Sequence, residues 1–345
     1  MLSFDCLSDQ LVVECGRVRE DLPTLFAIMR NERFFLDAFF DHYRGIGVQQ
    51  FLILDDGSAD GSQDFFRGQP DCVLLSSSIK YGTEIQVTMP GGRVVKDRGG
   101  NFFKRVIPER FCRGSYALYA DADEFLVLPP QVPDLPTLFR RLGDQSIDTV
   151  VASLVEFYPS SLRELEGQPA PRSFDDLVAL YPFFDAVPLI RFRAGMAPKR
   201  INGSATRRLF QRYGILRPRP PSKLVPSFIQ RRLPGLPGKS ATMKTPVVCW
   251  REGVWVADTH HANVRPTDKV LLTFAHFKFT HTWSQKIEEA IRLKSFAGKS
   301  EKYEGYSQLL RRMKADDASF VGPDTRRYTG PRDLEEAGLL MWALD

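Results

Sequence analysis

The chain is best understood from the stretch Ser115-Tyr116-Ala117-Leu118-Tyr119-Ala120-Asp121-Ala122-Asp123-Glu124-Phe125. Its apolar and aromatic first half predicts a buried strand, and three carboxylates follow where that strand ends. Unpaired carboxylates are unfavourable to bury, so this cluster needs a partner, and a cation is the natural one. Oxygen ligands favour Mg2+ or Mn2+ over softer metals. On its own, so short a pattern also fits a solvated acidic turn.

Two further predicted strands end in polar clusters. Leu25–Met29 is followed by Arg30-Asn31-Glu32, and Phe51–Leu54 is followed by Asp55-Asp56-Gly57-Ser58-Ala59-Asp60-Gly61. Ligands of open α/β sheets bind at the carboxyl ends of the strands. This chain has three such strand ends, and helix-like stretches separate them at Glu32–Gly45 and Asn101–Phe111. The arrangement favours a nucleotide-binding α/β half-domain over an acidic turn.

The three motifs together resemble glycosyltransferase family two and its relatives with the GT-A fold. They are most similar to a bacterial branch whose metal motif has the form Asp-Ala-Asp-Glu-Phe. The similarity extends roughly from Leu22 to Leu310 and includes these later stretches: Glu156-Phe157-Tyr158-Pro159, Arg207-Arg208-Leu209-Phe210, Thr259-His260-His261 and Ala275-His276-Phe277-Lys278-Phe279. The resemblance implies an α/β fold of the GT-A type, with an open, mostly parallel sheet flanked by helices, a basic proline-rich insertion and C-terminal helices.

The resemblance also implies an activity. We expect a metal-dependent, hexosyltransferase-type enzyme, inverting, that moves a sugar from a nucleotide diphosphate donor, with a UDP-sugar favoured, to a glycan or lipid-linked acceptor. Asp55 or Asp56 would accept a hydrogen bond from the uracil or ribose of the donor, and Asn31 and Glu32 would line the base pocket.

Two residues further along are expected to contribute to the same nucleotide pocket. Arg98 and Asn101 stand where the family offers polar groups to the nucleotide. A solvated surface cation explains Arg98 equally well.

Mn2+ or Mg2+ is the expected cofactor. It would bridge Asp121 and Asp123 to the diphosphate and stabilise charge on the leaving group. We expect Asp123 to be the more direct ligand, with Asp121 reaching the ribose or a metal-bound water.

Many GT-A enzymes complete the metal site with a distant C-terminal histidine. His276 is the best candidate here, and His260 and His261 are the alternatives. Lys278 lies two residues after His276, hence on the same face of a predicted strand at Leu271–Phe279, and can neutralise phosphate.

An inverting enzyme also needs a carboxylate near the acceptor hydroxyl. Glu156, at the end of a predicted strand over Asp148–Phe157, is the first candidate for this catalytic base, and Asp185 is the second. The chain lacks the downstream Glu-Asp pair of typical family-two enzymes, so the base and the inverting outcome both stay open.

The composition fits a large globular protein, with 345 residues, 43% hydrophobic and 26% charged. No stretch of about 18 apolar residues is present, and the N-terminus lacks the features of a secretory signal. The five scattered cysteines form no Cys-x-x-Cys pair. These observations predict a cytoplasmic protein in a reducing compartment.

The net charge of +5 is unevenly distributed. Ala186–Arg251 contains 15 Lys and Arg residues and no acidic residue, which leaves −10 for the rest of the chain. Part of this basic window is expected to be solvated surface. Its proline-rich part, Arg217–Gly238, is expected to be an extended or mobile loop that closes over the donor or rests peripherally on an anionic inner membrane face. Nucleic acid is not an expected partner.

We predict an N-terminal extension over 1–21, a nucleotide-sugar-binding half over 22–160, an acceptor-side half over 161–283 and a C-terminal helical region over 284–345. Two other functions stay open. A nucleotidyltransferase would normally show a glycine-rich phosphate loop near the first strand, where this chain has Arg30-Asn31-Glu32. A non-catalytic glycan- or anionic-lipid-binding protein is disfavoured by the intact Asp121-Ala122-Asp123.

Overall fold

The computed structural model describes residues 2–3, 10–89, 91–193, 196–201, 203–215, 241–258, 260–293, 301–316 and 319–344. The predictions for the proline-rich segment Arg217–Gly238 and for Thr259 therefore lie outside the described residues. The strands are β1 Leu2–Ser3, β2 Val12–Cys15, β3 Thr24–Met29, β4 Gln50–Asp55, β5 Cys72–Ser76, β6 Glu84–Thr88, β7 Val94–Arg98, β8 Tyr116–Tyr119, β9 Glu124–Val127, β10 Thr149–Tyr158, β11 Phe183–Asp185, β12 Ile190–Arg191, β13 Lys199–Arg200, β14 Met243–Cys249, β15 Val256–Asp258, β16 His261–Ala262, β17 Val270–His276, β18 Thr325–Arg327 and β19 Met341–Trp342. The helices are α1 Arg33–Gly45, α2 Ser62–Arg67, α3 Gly99–Phe111, α4 Leu135–Asp144, α5 Phe174–Leu180, α6 Ala205–Arg212, α7 Trp283–Leu293, α8 Glu301–Ala315 and α9 Pro331–Glu336, with a 3-10 turn at Arg163–Leu165.

A mixed central sheet organises the molecule. Its strand order is β18-β11-β10-β14-β8-β3-β4-β5-β2, and β17 pairs with β10, β9 and β19 beside this path. Strands β8, β3, β4 and β5 run parallel to one another, and so do β10 and β17, whereas β14 runs antiparallel to both of its neighbours. The predicted α/β fold with an open sheet flanked by helices is confirmed at this level.

The central strands of the sheet, such as β3 and β4, are buried along their whole length, so both faces of the sheet are covered there. In β3, Leu25, Ala27 and Met29 belong to one apolar cluster, while Phe26 and Ile28 belong to the other. Such alternation is the period of two expected of a strand whose two faces are both buried. Helix α1 packs on the first face and α3 on the second through these aromatic and aliphatic residues: Phe35, Leu36, Phe39, Phe40, Tyr43, Phe102, Phe103, Val106 and Ile107.

The N-terminal stretch differs from its prediction. Residues 1–21 were expected to form an irregular extension, yet β2 pairs antiparallel with β5 at the end of the central sheet, and β1 pairs with β6. The glycine-containing stretch that follows, Gly82–Gly100, contains the antiparallel pair β6 and β7. An edge strand buries little of its surface, as the 53% exposure of Val12 in β2 shows. Such a strand can be polar, so the composition of residues 1–21 gave no sign of it.

Strand β14 has a position that the sequence did not indicate. It comes from the predicted acceptor-side half, yet it lies between β8 and β10, both within the predicted nucleotide-sugar-binding half. The two predicted halves therefore share one sheet. Among the described residues, no helix combines the length and the apolar character needed to cross a membrane.

One histidine of this core makes stability depend on pH. The His42 ring packs against those of Phe125 and Phe174, at centroid distances of 5.4 and 4.9 Å, and its Nε2 is 2.9 Å from the Leu126 carbonyl oxygen. Burial lowers the pKa of His42 from 6.5 to about 4. Between these values the unfolded chain binds a proton that the folded protein excludes, so stability falls as pH falls through this window.

We expect this histidine to account for at most about 2–3 kcal/mol of the stability lost between pH 7 and pH 4, since each pH unit in the window is worth about 1.4 kcal/mol for a fully enclosed group and His42 is partly exposed. Urea unfolding of the wild type and of His42→Gln at both pH values measures the difference. Burial lowers the pKa of His260 similarly, to about 4, so the variant should keep that share of the pH dependence. Identical losses in the two proteins would contradict the assignment.

Candidate metal and nucleotide site

The polar strand ends meet at one edge of the central sheet. Strands β3, β4 and β8 are parallel neighbours, so the segments that follow them emerge on the same side. Strand β17 reaches this edge from the C-terminal part of the chain, because it pairs with β9 in a register that sets His276 opposite Glu124. The Phe277 amide also donates to the Asp123 carbonyl oxygen at 2.9 Å. Residues more than 150 positions apart in the chain are thereby brought together.

A metal-binding group lies at this meeting point. Ligand atoms of Asp123, Glu124 and His276 all lie within 4.8 Å of one another, and His276 Nε2 is 3.4 Å from Asp123 Oδ2. Within the described part of the chain, the buried His276 Nδ1 has no hydrogen-bond partner. Two carboxylates and one imidazole suit a divalent cation such as Mn2+, so the residues present fit the expected cofactor. Asp123 and His276 were predicted for this site, and Glu124 was not.

The Asp123 carboxylate is held in its charged form. Burial by itself would raise the pKa of Asp123, but the charge and hydrogen bond of His276, together with the charge of Lys286, outweigh burial and lower the pKa to about 2. A permanently ionised carboxylate is the form that binds a metal ion.

Asp121 has a different environment from the one predicted. Its Oδ2 lies 2.5 Å from Lys244 Nζ, which is also 2.5 Å from Glu124 Oε2, and its Oδ1 accepts a hydrogen bond from the Tyr119 hydroxyl. Burial opposes ionisation of Asp121, but Lys244 and Lys104 outweigh burial and hold its pKa well below the usual value. Sequence reasoning missed Lys244 because it counted this residue with the basic window. The available signal was a lysine inside the buried apolar strand β14, where it needs an acidic partner.

The loop after β3 closes one side of the site. Glu32 Oε2 is 2.6 Å from Lys286 Nζ on α7, and Asn31 Oδ1 accepts a hydrogen bond from the Ala59 amide at 2.8 Å. Asn31 adopts a left-handed conformation with φ 54°. Burial, only partly offset by Lys286, and the negative charge of Asp123 raise the pKa of Glu32 to about 7. The sequence did not indicate that α7 supplies a lysine here.

Asp55 and Asp56 have separate tasks in the loop after β4. The Asp55 carboxylate accepts hydrogen bonds from the Gly57 and Ser58 amides, each at 3.0 Å, and from Gln63 Nε2 at 2.6 Å. These bonds shape a turn in which Gly57 has φ 86°, a conformation that favours glycine. Asp56 Oδ1 accepts one hydrogen bond, from the Tyr81 amide at 2.9 Å, and Arg30 lies 3.9 Å from its other oxygen. Asp56 is therefore the better placed of the two to accept a hydrogen bond from a ligand.

We expect Asp56→Ala to weaken binding of free UDP by about 1.5–3 kcal/mol, because a hydrogen bond to a charged group is worth that much. Asp55→Ala should weaken binding too, but through the altered turn, so it should also lower the melting temperature. Calorimetric titration and thermal unfolding separate these effects. Unchanged UDP affinity in both variants would contradict the assignment of this loop to the nucleotide.

Arg98 and Asn101 lie at the junction of β7 and α3. Asn101 Nδ2 donates to Asp97 Oδ1 at 2.9 Å, and the Arg98 amide donates to the same oxygen at 2.8 Å. Their predicted contact with the nucleotide stays a prediction. Helix α3 influences the carboxylates through Lys104, whose Nζ is 4.7 Å from the Tyr119 ring centroid and whose positive charge helps to lower the pKa of Asp121.

Glu156 and Lys278, predicted for different roles, form an ion pair with each other. Glu156 is 4% exposed, its Oε1 is 2.5 Å from Lys278 Nζ, and it accepts hydrogen bonds from the Thr206 amide and hydroxyl at 2.6 and 2.5 Å. Burial opposes ionisation, but Lys278 and Thr206 lower the pKa of Glu156 to about 2. So acidic and enclosed a carboxylate is a poor general base. Lys278 follows the end of β17, which stops at His276 rather than at the predicted Phe279.

Asp185, the second candidate for the catalytic base, is enclosed as well. Arg208 donates to it through Nε at 2.8 Å and Nη2 at 2.9 Å, and the Tyr158 hydroxyl donates to the same carboxylate. The geometry gives Asp185 a structural role in joining β11, α6 and β10, and catalysis by either carboxylate stays a prediction.

The alternative histidines lie in a separate cluster. His260 Nδ1 is 2.5 Å from the Met243 carbonyl oxygen, and His261 Nδ1 is 2.9 Å from Asp258 Oδ1. Neither belongs to the metal-binding group found among the described residues. The geometry favours His276 over both.

No family model matches the chain, and no curated protein matches its sequence significantly. The geometry of the site therefore carries the functional argument.

Proposed function

We propose that this protein is a metal-dependent glycosyltransferase of the GT-A type, which transfers a sugar from a nucleotide diphosphate donor, favouring a UDP-sugar, to a glycan or lipid-linked acceptor. The observation that carries the proposal is the contact between Asp123 and His276. The resemblance implied that a distant histidine completes the metal site, and the two side chains lie 3.4 Å apart. Neither the spacing nor the composition of the chain required this contact.

The surrounding residues support binding of a nucleotide diphosphate. Asp56 lies at the end of β4, next to the strand that leads to Asn31 and Glu32, which is where an open α/β sheet binds a nucleotide. When bound on Asp123 and His276, with Glu124 beside them, a divalent cation would supply positive charge to the departing diphosphate. Lys286 on α7 brings a further positive charge to the site. It is close enough to Asp123 for its charge to lower the pKa of that carboxyl.

The experiment is a panel of nucleotide sugars tested by thermal shift with and without Mn2+. A rise in melting temperature for one donor, larger with Mn2+ than without it, is expected. Sugar transfer is then tested with that donor and glycan or lipid-linked acceptors. Stabilisation by nucleoside triphosphates, with release of pyrophosphate, would favour a nucleotidyltransferase. No metal-dependent stabilisation by any nucleotide would favour a non-catalytic binding protein.

A further inference from the structure

Lys244 occupies an unusual place among the carboxylates. Its ammonium lies 2.5 Å from both Asp121 Oδ2 and Glu124 Oε2, and its side chain is 4% exposed. It also lies 5.0 Å from the centroid of the Tyr119 ring. This buried cation is firmly held, because its removal would leave the enclosed Glu124 carboxylate without a cation and next to the negative charge of Asp121.

Lys244 contacts Asp121 Oδ2 and Glu124 Oε2. A metal ion shared by these two carboxylates would bind to the same two oxygens. The other oxygen of Asp121 is occupied by the Tyr119 hydroxyl. The Asp121 carboxylate is thus engaged on both oxygens by this chain's own residues. Asp123, in contrast, faces His276, and its neighbouring lysine, Lys286, is itself paired with Glu32 at 2.6 Å.

The charges of the cluster lead to the same conclusion. Asp121, Asp123 and Glu124 bring three negative charges, and Lys244 compensates one of them. Lys104 adds a second positive charge that acts on Asp121 at longer range. One divalent cation suits the remaining negative charge, whereas two would leave an excess of positive charge in a partly buried site.

The structure assigns to Lys244 the role of a built-in cation that takes the position of a second metal ion. It holds Asp121 and Glu124 in place, withholds Asp121 from the metal, and leaves one divalent cation to Asp123 and His276, with Glu124 adjacent. Lys244 is thus a positioning residue. This inference rests on the metal site of the proposed function but not on sugar transfer.

The first test compares two carboxylates in the absence of any nucleotide, by titrating Mn2+ and following free Mn2+ by electron paramagnetic resonance. The wild type should bind one Mn2+ per chain. Asp121→Asn should weaken the affinity by at most about 10–100-fold, the range for a group that only supports the metal's ligands, whereas Asp123→Asn should weaken it by more than about 100-fold.

Equal losses in the two variants would overturn the role of Lys244 while leaving the metal site intact. Failure of the wild type to bind Mn2+ would overturn the metal site itself, and the inference with it.

The second test uses Lys244→Met, with Lys278→Met as the matched control. Both lysines are buried and lie 2.5 Å from a glutamate oxygen, but Lys278 pairs with Glu156 outside the metal-binding group. Both variants should melt at a lower temperature than the wild type. Mn2+ should raise the melting temperature of Lys244→Met more than that of the wild type, and this variant should bind a second Mn2+, because the metal can replace the lost ammonium.

Lys278→Met should respond to Mn2+ as the wild type does. One bound Mn2+ in Lys244→Met, together with a wild-type response in melting temperature, would overturn the inference. If Lys244→Met does not fold, the comparison of Asp121→Asn with Asp123→Asn decides.

Discussion

Asp123→Ala is expected to abolish Mn2+-dependent binding of the donor, with an affinity loss of at least about 100-fold, because it removes a direct ligand of the cation. The fold should be retained. Asp123 lies in a segment after β8 with its side chain 22% exposed, and its removal relieves repulsion among neighbouring carboxylates. Calorimetric titration of the donor found by thermal shift, with and without Mn2+, measures the effect.

Asp71→Ala is the matched control. The Asp71 side chain is also 22% exposed and also paired, with Arg44 at 2.6 Å, but it precedes β5 at the opposite edge of the sheet. It should leave donor binding and its metal dependence unchanged. If Asp123→Ala binds donor with the metal dependence of the wild type, the proposed metal site is wrong.

Lys278→Met is expected to lower the free energy of unfolding by about 3–5 kcal/mol, because it leaves the Glu156 carboxylate buried without its cation. Urea unfolding at pH 7 measures this. Arg251→Met is the control, since the Arg251 pair with Asp148 is similarly short at 2.6 Å but the Arg251 side chain is 59% exposed. The free energy of unfolding should change little there, because ion pairs in water contribute little to stability.

A double variant tests whether the loss of stability comes from the ion pair or from other contacts of the Lys278 side chain. Lys278→Met combined with Glu156→Gln should recover part of the lost stability, because the buried charge is removed and the amide oxygen can still accept from Thr206. The earlier interpretation of Lys278 as a phosphate ligand leads to the opposite result, in which stability hardly changes and donor binding is lost. The size of the stability change therefore decides between the two roles.

The parts of the site that depend on local sequence could be predicted. Strands β3, β4 and β8 were recognisable because each is an apolar run ended by polar residues, and the carboxyl ends of neighbouring parallel strands converge by geometry. His276 could be named through a family resemblance. The contact of His276 with Asp123 depends on the register between β9 and β17, and no local sequence pattern specifies that register.

The partners of the carboxylates could not be predicted in this way. Lys244, Arg208 and Arg251 all belong to the basic window, for which the sequence predicts solvated surface in part and an anion-binding segment in part. In the structure they pair with Asp121 and Glu124, with Asp185, and with Asp148. Charge counted along a chain ignores these contacts, because ion pairs form between residues that are remote in sequence. Lys244 and Arg208 are largely enclosed, so their charges are not part of a positive surface, whereas Arg251 stays exposed.

The position of β14 has a consequence for synthesis of the chain. Strands β8 and β10 are both made well before the strand that separates them, which ends at Cys249. Until the ribosome has released that segment, a nascent chain exposes two unpaired apolar strand edges, which are templates for mispairing. The protein should depend on uninterrupted translation or on a holding chaperone, and a message truncated near codon 240 should yield an insoluble product rather than a smaller working domain.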